Sequence, residues 1–156
     1  SMMVVENTQA TSQGQPEKQP RPQPGNLVLL NVYDMGDSDF VRKLNGISMV
    51  KDILPIGGIY HAGVEVYGLE WGYGCVEDES EEEVTGVSAN APRGNPYHTY
   101  RVTVEMGLSP MSEEAVKAML HSLMEGWRMS DYDLIHRNCL AFCNTFCEAL
   151  GVGRIP

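Results

Sequence analysis

The sequence is poor in positive charge. Lys and Arg number 11 and Asp and Glu 21 in 156 residues, which gives a formal net charge of −10. A nucleic-acid-binding domain needs a basic face for the phosphates, so this balance argues against a nucleic-acid partner. The sequence also lacks any apolar run near the ~18 to 20 residues of a membrane helix and any signal-peptide-like segment. We therefore expect no membrane partner and a cytoplasmic location, with the nucleus left open, where thiols stay reduced.

The first part of the chain has the composition of a flexible segment. The stretch "SMMVVENTQATSQGQPEKQPRPQPGN" is rich in Pro, Gln, Ser and Thr and lacks hydrophobic periodicity. Such a segment buries too little apolar area to offset its ordering entropy. We predict a flexible leader over residues 1–25 and one domain over residues 26–156. The acidic run "EDESEEE", from Glu77 to Glu83, is interpreted as a solvated loop rather than a docking patch.

The middle of the chain carries strand patterns. "NLVLLNVYD" has the length and apolar content of a buried strand, and "GGIYHAGVEVYG" alternates between two faces. Tyr60, Ala62, Val64 and Val66 share one face, whereas His61 belongs to the other. "LEWGYG" is expected to form a hairpin with that strand, and "TYRVTVEMG" is a further strand.

Helix patterns lie towards both ends. "DSDFVRKLNG" predicts a short helix, and "SPMSEEAVKAMLHSLMEGW" predicts an amphipathic helix with Ser109 or Ser112 as its N-cap. A last helix is predicted from about Asn138 to Gly151. Strands in the middle and helices at both ends indicate an α+β domain rather than a regular βαβ repeat.

Three of the four cysteines lie one helical turn apart, at Cys139, Cys143 and Cys147. In the last helix they belong to one apolar stripe, and because free cysteine packs as a small hydrophobe we interpret Cys143 and Cys147 as core residues. A tetrahedral zinc site needs four ligands at compact spacing, and Cys75 lies far upstream without a CxxC partner. We therefore expect no metal and no cofactor. The stripe consists of Cys139, Phe142, Cys143, Phe146, Cys147 and Leu150.

Cys139 differs from the other two by its position. It follows the predicted cap Asn138 and lies in the first helical turn, where unpaired N–H groups and the helix dipole stabilise an anion. That location can lower the pKa of a thiol below its free value of about 8.5. The same N–H groups can stabilise an oxyanion when a thiolate adds to a carbonyl. Cys139 is thus a candidate nucleophile.

A cysteine nucleophile usually needs a base, and the sequence contains four histidines. His121 lies in the middle of a helix, His98 at a strand entrance and His136 three residues before the candidate nucleophile. His61 stands out because it faces away from the apolar row of its strand. A hydrogen-bonded strand residue and a catalytic base both stay open for His61, since spacing alone cannot show which residues are adjacent in space.

Several motifs resemble those of the PPPDE, or DeSI, family of permuted papain-fold peptidases. They are "LNVYDM", "GIYHAGVEVYG", "EWGYG", "YDLIHRNCLAFC" and "GRIP", in the family's order. The most similar branch is that of desumoylating isopeptidase 2, which is associated with deubiquitinating activity. The resemblance implies a central antiparallel sheet with flanking helices, His61 as the base and Cys139 as the nucleophile. The family usually has "NCNHF" where this chain has "NCLAF", so that Leu140 and Ala141 replace a polar pair.

The resemblance also implies a function. The chain is expected to be a cysteine isopeptidase that removes ubiquitin or SUMO from conjugated proteins, with His61 and Cys139 within about 3 to 4 Å of each other. An S-acyl thioesterase with the same dyad and a non-catalytic binder of ubiquitin-like proteins stay open as alternatives. Asn31 and Asp34, on the neighbouring strand, are candidates for a third residue that orients the base. Some relatives form homodimers, and a homodimer stays open here.

Overall fold

The computed structural model of the protein describes residues 24–34, 60–74, 85–133 and 135–156. Within these ranges the chain forms one antiparallel sheet of five strands in the order β4-β3-β2-β1-β5, together with two α-helices. The α+β prediction is therefore confirmed. The elements are β1 Leu27–Asp34, β2 Tyr60–Val66, β3 Leu69–Tyr73, β4 Val87–Asn90, β5 Thr99–Leu108, α1 Glu113–Gly126, a 3₁₀ turn Met129–Asp131 and α2 Cys139–Ala149.

The central strand β1 comes from the apolar run "LVLLNVYD" and pairs with β2 on one side and β5 on the other. The short edge strand β4 was not predicted, because its four residues carry no alternating pattern long enough to recognise. The predicted leader, the helix "DSDFVRKLNG", the acidic run Glu77 to Glu83 and Cys75 lie outside the described residues.

Strands β2 and β3 form the predicted hairpin. Val66 pairs with Leu69, and the two residues between them, Tyr67 and Gly68, have φ values of 49° and 78°. Positive φ at both central residues is what a two-residue type I′ turn requires. The Tyr67 hydroxyl also donates to the carbonyl of Met111 at 2.6 Å, which stabilises the unusual conformation. The turn fixes the register of β3 against the strand that carries His61.

Helix α2 packs its apolar stripe against β2, and every residue of the predicted stripe is buried. On the strand, Ala62, Val64 and Val66 face this core as predicted. At about 25 cal/mol per Å² of buried apolar area, this face is the main source of stability for the helix. The core contains Val28, Leu30, Ala62, Val64, Val66, Tyr73, Val87, Val116, Leu120, Trp127, Phe142, Cys143, Phe146, Cys147 and Leu150.

The helix ends follow local sequence signals. Asn138 caps α2, because its side-chain oxygen accepts from the N–H of Ala141 at 2.9 Å. For α1 the cap is Ser112. The alternative, Ser109, instead donates its hydroxyl to the carbonyl of Leu150 at 2.6 Å and joins the segment between β5 and α1 to the end of α2. No helix in the described ranges is long and apolar enough to cross a membrane.

Candidate active site

Cys139 is the first residue of α2, and its sulfur lies against the backbone of β2. The Sγ atom is 3.9 Å from the carbonyl oxygen of Tyr60, and the backbone N–H of Ala62 also hydrogen-bonds this sulfur. These two peptide groups flank His61. The N-terminus of α2 therefore meets β2 at the residue that the sequence indicates as the base, despite the long separation along the chain.

This contact depends on where the pairing of β2 with β3 begins. On β2, the pairing with β3 covers only Val64 to Val66. The backbone groups of β2 before Val64 do not pair with β3 and can contact α2. Cys143 uses the same edge, because its thiol donates to the carbonyl of Ala62 at 3.3 Å. Two successive cysteines of one helix face thus follow the strand edge, the first beside His61 and the second in the core.

The His61 imidazole lies on the opposite face of β2 from the hydrophobic core, between two other rings. Its ring centroid is 5.9 Å from that of Tyr33 and 4.8 Å from that of His98. The backbone of β3 also passes close by, since a methyl group added at Gly72 would lie 3.7 Å from Nε2 of His61. Burial, and secondarily the nearby His98, lower the pKa of His61 to about 4. The imidazole is therefore neutral at pH 7 and able to accept a proton.

Burial raises the pKa of the Cys139 thiol. Backbone N–H groups of Ala62, Leu140 and Cys139 itself act in the opposite direction, but the cost of removing a thiolate from water is larger. The prediction of a lowered pKa at this helix end is therefore wrong for the resting protein. The resting thiol and the His61 imidazole are both neutral rather than a thiolate and imidazolium pair.

The two other cysteines of the stripe are core residues, as predicted. Cys143 and Cys147 are fully buried and belong to the hydrophobic core. Burial raises the pKa of Cys143 well above its usual value and that of Cys147 to about 11. Neither thiol is accessible for chemistry in the folded state.

The remaining histidines occupy different environments. His136 is 83% exposed at its side chain and pairs with Asp133 at 3.5 Å, so it points into solvent. His121 is exposed on α1. His98 contacts His61, its Nδ1 is buried without a hydrogen-bond partner among the described residues, and burial lowers its pKa. His98 is thus the histidine whose proximity to the site the sequence did not indicate.

The two candidates for an orienting residue have other partners. Asn31 is fully buried and donates to the carboxylates of Glu65 and Glu70 at 3.0 and 2.8 Å. Asp34 forms an ion pair with Arg101 at 3.0 Å on the surface. In the part of the chain that the structure describes, neither side chain hydrogen-bonds the imidazole. The roles of His61 and Cys139 as base and nucleophile, and the distance of about 3 to 4 Å expected between imidazole and sulfur, stay predictions. They rest on the contacts of the Cys139 sulfur with the peptide groups on either side of His61.

Sequence reasoning missed the buried carboxylate of Glu70, which is 3% exposed. A signal for it existed in the predicted hairpin, since its register places Glu70 directly opposite Glu65. Like charges in directly opposed positions destabilise a strand pair unless other groups compensate. A facing pair of glutamates next to a candidate base was therefore a reason to expect a polar network at this position.

Comparison with known proteins gives one consistent result. Residues 26–156 match the family described as PPPDE putative peptidase domain. A DeSI-like protein of Arabidopsis thaliana is 30% identical over 129 residues, which cover 83% of this chain and 51% of the relative. A desumoylating isopeptidase 1 homolog of Caenorhabditis elegans is 29% identical over 136 residues, covering 83% and 36%. A DeSI-like protein of Schizosaccharomyces pombe is 30% identical over 132 residues, covering 83% and 60%.

The chain thus spans 36% to 60% of the length of these relatives. The family match extends over every described strand and helix and includes both His61 and Cys139. On this match the chain belongs to the PPPDE family of peptidase domains.

Proposed function

We propose that the protein is a cysteine isopeptidase of permuted papain fold that removes ubiquitin or SUMO from conjugated proteins. Cys139 is the nucleophile and His61 the base. The observation that supports this most is the contact of the Cys139 sulfur with the two peptide groups that flank His61. A thiol at a helix N-terminus, held against the backbone of a residue with a neutral imidazole, supports an assignment of these two groups as the nucleophile and base of acyl transfer.

The lowered pKa of His61 and the raised pKa of Cys139 indicate how the first step proceeds. Because both groups are neutral at rest, the proton passes from Cys139 to His61 while the sulfur attacks the isopeptide carbonyl, rather than before it. The backbone N–H groups of Ala62 and Leu140 stabilise the negative charge that develops on sulfur. A tetrahedral intermediate forms, with its negative charge on the former carbonyl oxygen.

Collapse of this intermediate breaks the C–N bond, and the His61 imidazolium protonates the departing lysine amine. The modifier is then held as a thioester on Cys139. Water, deprotonated by His61, attacks the thioester and releases the modifier's carboxylate and the free thiol. Each proton that His61 accepts is returned, so the enzyme ends in its neutral resting state.

The replacement of the family's polar pair by Leu140 and Ala141 does not disturb the start of α2. The Ala141 N–H is bonded by the Asn138 cap, and Ala141 packs against the core. Leu140 is 39% exposed immediately after the nucleophile and presents an apolar side chain there. In this proposal the substitution changes what the rim of the site contacts and leaves the nucleophile and base in place.

Experiment must decide whether the protein removes ubiquitin or SUMO. The name of the Caenorhabditis elegans relative refers to desumoylation, which favours SUMO as the first substrate to test. Both modifiers present an extended C-terminal tail joined to a lysine amine, so the reaction at the carbonyl is the same. Probes with a fluorophore at the C-terminus of each modifier, assayed side by side, separate the two.

The decisive experiment compares the intact protein with Cys139→Ala and with Cys143→Ala as a matched control. Both changes remove one thiol from the same helix face, one turn apart. We expect Cys139→Ala to lose at least about 10³-fold in kcat/KM, as for removal of a nucleophile, and the control to keep activity. Equal rates for wild type and Cys139→Ala would exclude the mechanism. Turnover of a palmitoyl-thioester probe instead of both modifiers would identify a thioesterase, and modifier binding without turnover a non-catalytic binder.

A further inference from the structure

The Glu70 carboxylate joins three separate parts of the chain beside the candidate site. Its Oε1 atom accepts from the hydroxyl of Tyr33 on β1 at 2.7 Å. Its Oε2 atom accepts from the side-chain amide of Asn31 at 2.8 Å and from the backbone N–H of Arg93 at 2.8 Å. With 3% exposure, the carboxylate is almost removed from water, so these donors replace its hydration.

Two of these three contacts lead to the rings on either side of His61. Tyr33 is the direct cross-strand neighbour of His61, and their rings are in contact. Arg93 lies in the segment 91–98, which ends at His98, the other ring against His61. Arg93 has a φ of 59°, which a residue with a side chain seldom adopts, so its hydrogen bond to Glu70 stabilises a strained turn.

The strand beneath the carboxylate is shaped to admit it. Gly63 follows His61 on the same face of β2, and a methyl group added there would lie 2.5 Å from Oε1 of Glu70. No side chain larger than hydrogen fits between the strand and the carboxylate. Glu70 therefore lies over the position that follows His61 on this face of β2. It bonds Tyr33 directly and, through the N–H of Arg93, the segment that ends at His98.

We propose that Glu70 is the positioning residue of this site: it fixes Tyr33 and the segment 91–98, and through them holds the imidazole of His61 between two rings. Within the described ranges no side chain hydrogen-bonds this imidazole, so its orientation depends on packing against rings that are themselves fixed. The geometric part of this inference stands alone, and its kinetic consequence rests on the proposed function.

A carboxylate is required for this arrangement. Three donors converge on Glu70, and a carboxylate offers about four lone-pair sites, whereas the amide of glutamine has one oxygen with two. Glu70→Gln can therefore satisfy at most two of the three donors and turns its NH₂ group towards another. Glu65→Gln is the matched control, because Glu65 also accepts from Asn31, at 3.0 Å, and has no contact with Tyr33 or Arg93 among the described hydrogen bonds.

The first test is an NMR titration of the histidine rings in the intact protein. In wild type we expect the pKa of His61 near 4. In Glu70→Gln it should rise towards 6.5 by about one pH unit or more, because loosened rings admit water. Loss of an anion would by itself lower the pKa of a nearby imidazole, so a rise distinguishes lost positioning from lost charge. Glu65→Gln should leave the titration unchanged.

Tyr33→Phe is the second variant, since it removes only the hydroxyl, with its hydrogen bonds to Glu70 and to the backbone of Asn95, and keeps the ring and the charge. It should shift the His61 titration in the same direction by a smaller amount. If Glu70→Gln does not fold, Tyr33→Phe decides the question alone. A His61 titration that is the same in wild type and in every folded variant of this pair refutes the inference.

The kinetic arm separates this inference from the proposed function. With a modifier probe, Glu70→Gln should lower kcat about tenfold or more at nearly constant KM, whereas Glu65→Gln should stay within about twofold of wild type. If wild type and Cys139→Ala turn the probe over equally, the proposed function fails, and the NMR titration still decides the role of Glu70. If wild type is active and both glutamate variants behave alike in rate and titration, only the positioning role fails.

Discussion

Acidification should destabilise the protein through His61, and the size of the effect follows from its burial. The pKa of this imidazole falls from its ordinary 6.5 to about 4 on folding. Between these two values the unfolded chain binds a proton that the folded protein does not. Because stability rises with pH wherever the unfolded state holds more protons, the free energy of unfolding is largest above pH 6.5 and decreases as the pH falls towards 4.

The loss of unfolding free energy is best measured at pH values above the pI, where the protein keeps a net charge. One pKa unit corresponds to about 1.4 kcal/mol, so complete acidification through both pKa values costs about 3 kcal/mol from this one residue. The sequence pI is about 4.7, and proteins near their pI tend to associate. Between pH 7.5 and pH 5.5, above the pI, the expected loss is about 1.4 kcal/mol.

The assay is urea unfolding of the wild type and of His61→Phe at each pH across that range. Phenylalanine keeps a ring against Tyr33 and His98 and cannot titrate. Carboxylates and other groups contribute to both proteins, so they largely cancel in the difference between the two free energies of unfolding. The free energy of unfolding of the wild type minus that of the variant should fall by about 1.4 kcal/mol from pH 7.5 to 5.5. A difference that does not change with pH would refute a lowered pKa for His61.

Three further predictions concern α2. Iodoacetamide near neutral pH should modify Cys139, which is 5% exposed, before the fully buried Cys143, as followed by peptide mass mapping, and equal labelling would contradict the assignment of the reactive thiol. Asn138→Ala removes the hydrogen bond to the Ala141 N–H and should lower the free energy of unfolding by about 1 kcal/mol in urea, whereas no change would show that the cap is dispensable. Phe142→Ala opens a cavity beside the rings of Tyr73 and Trp127 and should cost about 3 to 5 kcal/mol by the same assay, and a cost below about 1 kcal/mol would contradict its central place in the core.

The parts of the fold that could be predicted are those specified by neighbours in sequence. The alternation around His61 identified the core face of β2, and Asn138 identified the start of α2, because each signal extends over a few residues. The strand β4 could not be predicted in the same way. Its four residues are held by pairing with β3, and such pairing depends on contacts that the local pattern does not contain.

The site shows the same division between local and long-range causes. The helix-end argument correctly identified N–H groups that stabilise a thiolate at Cys139, and those of Leu140 and Cys139 itself come from the first turn of α2. It gave the wrong direction for the pKa because burial depends on how closely α2 packs against β2, which no short stretch of sequence specifies. Burial between Tyr33 and His98, which also comes from distant parts of the chain, lowers the pKa of His61. A buried site of this kind therefore gains its neutral pair from tertiary structure. Under the proposed function, the charge separation needed for attack is stabilised when substrate arrives, by the backbone N–H groups already in contact with the sulfur.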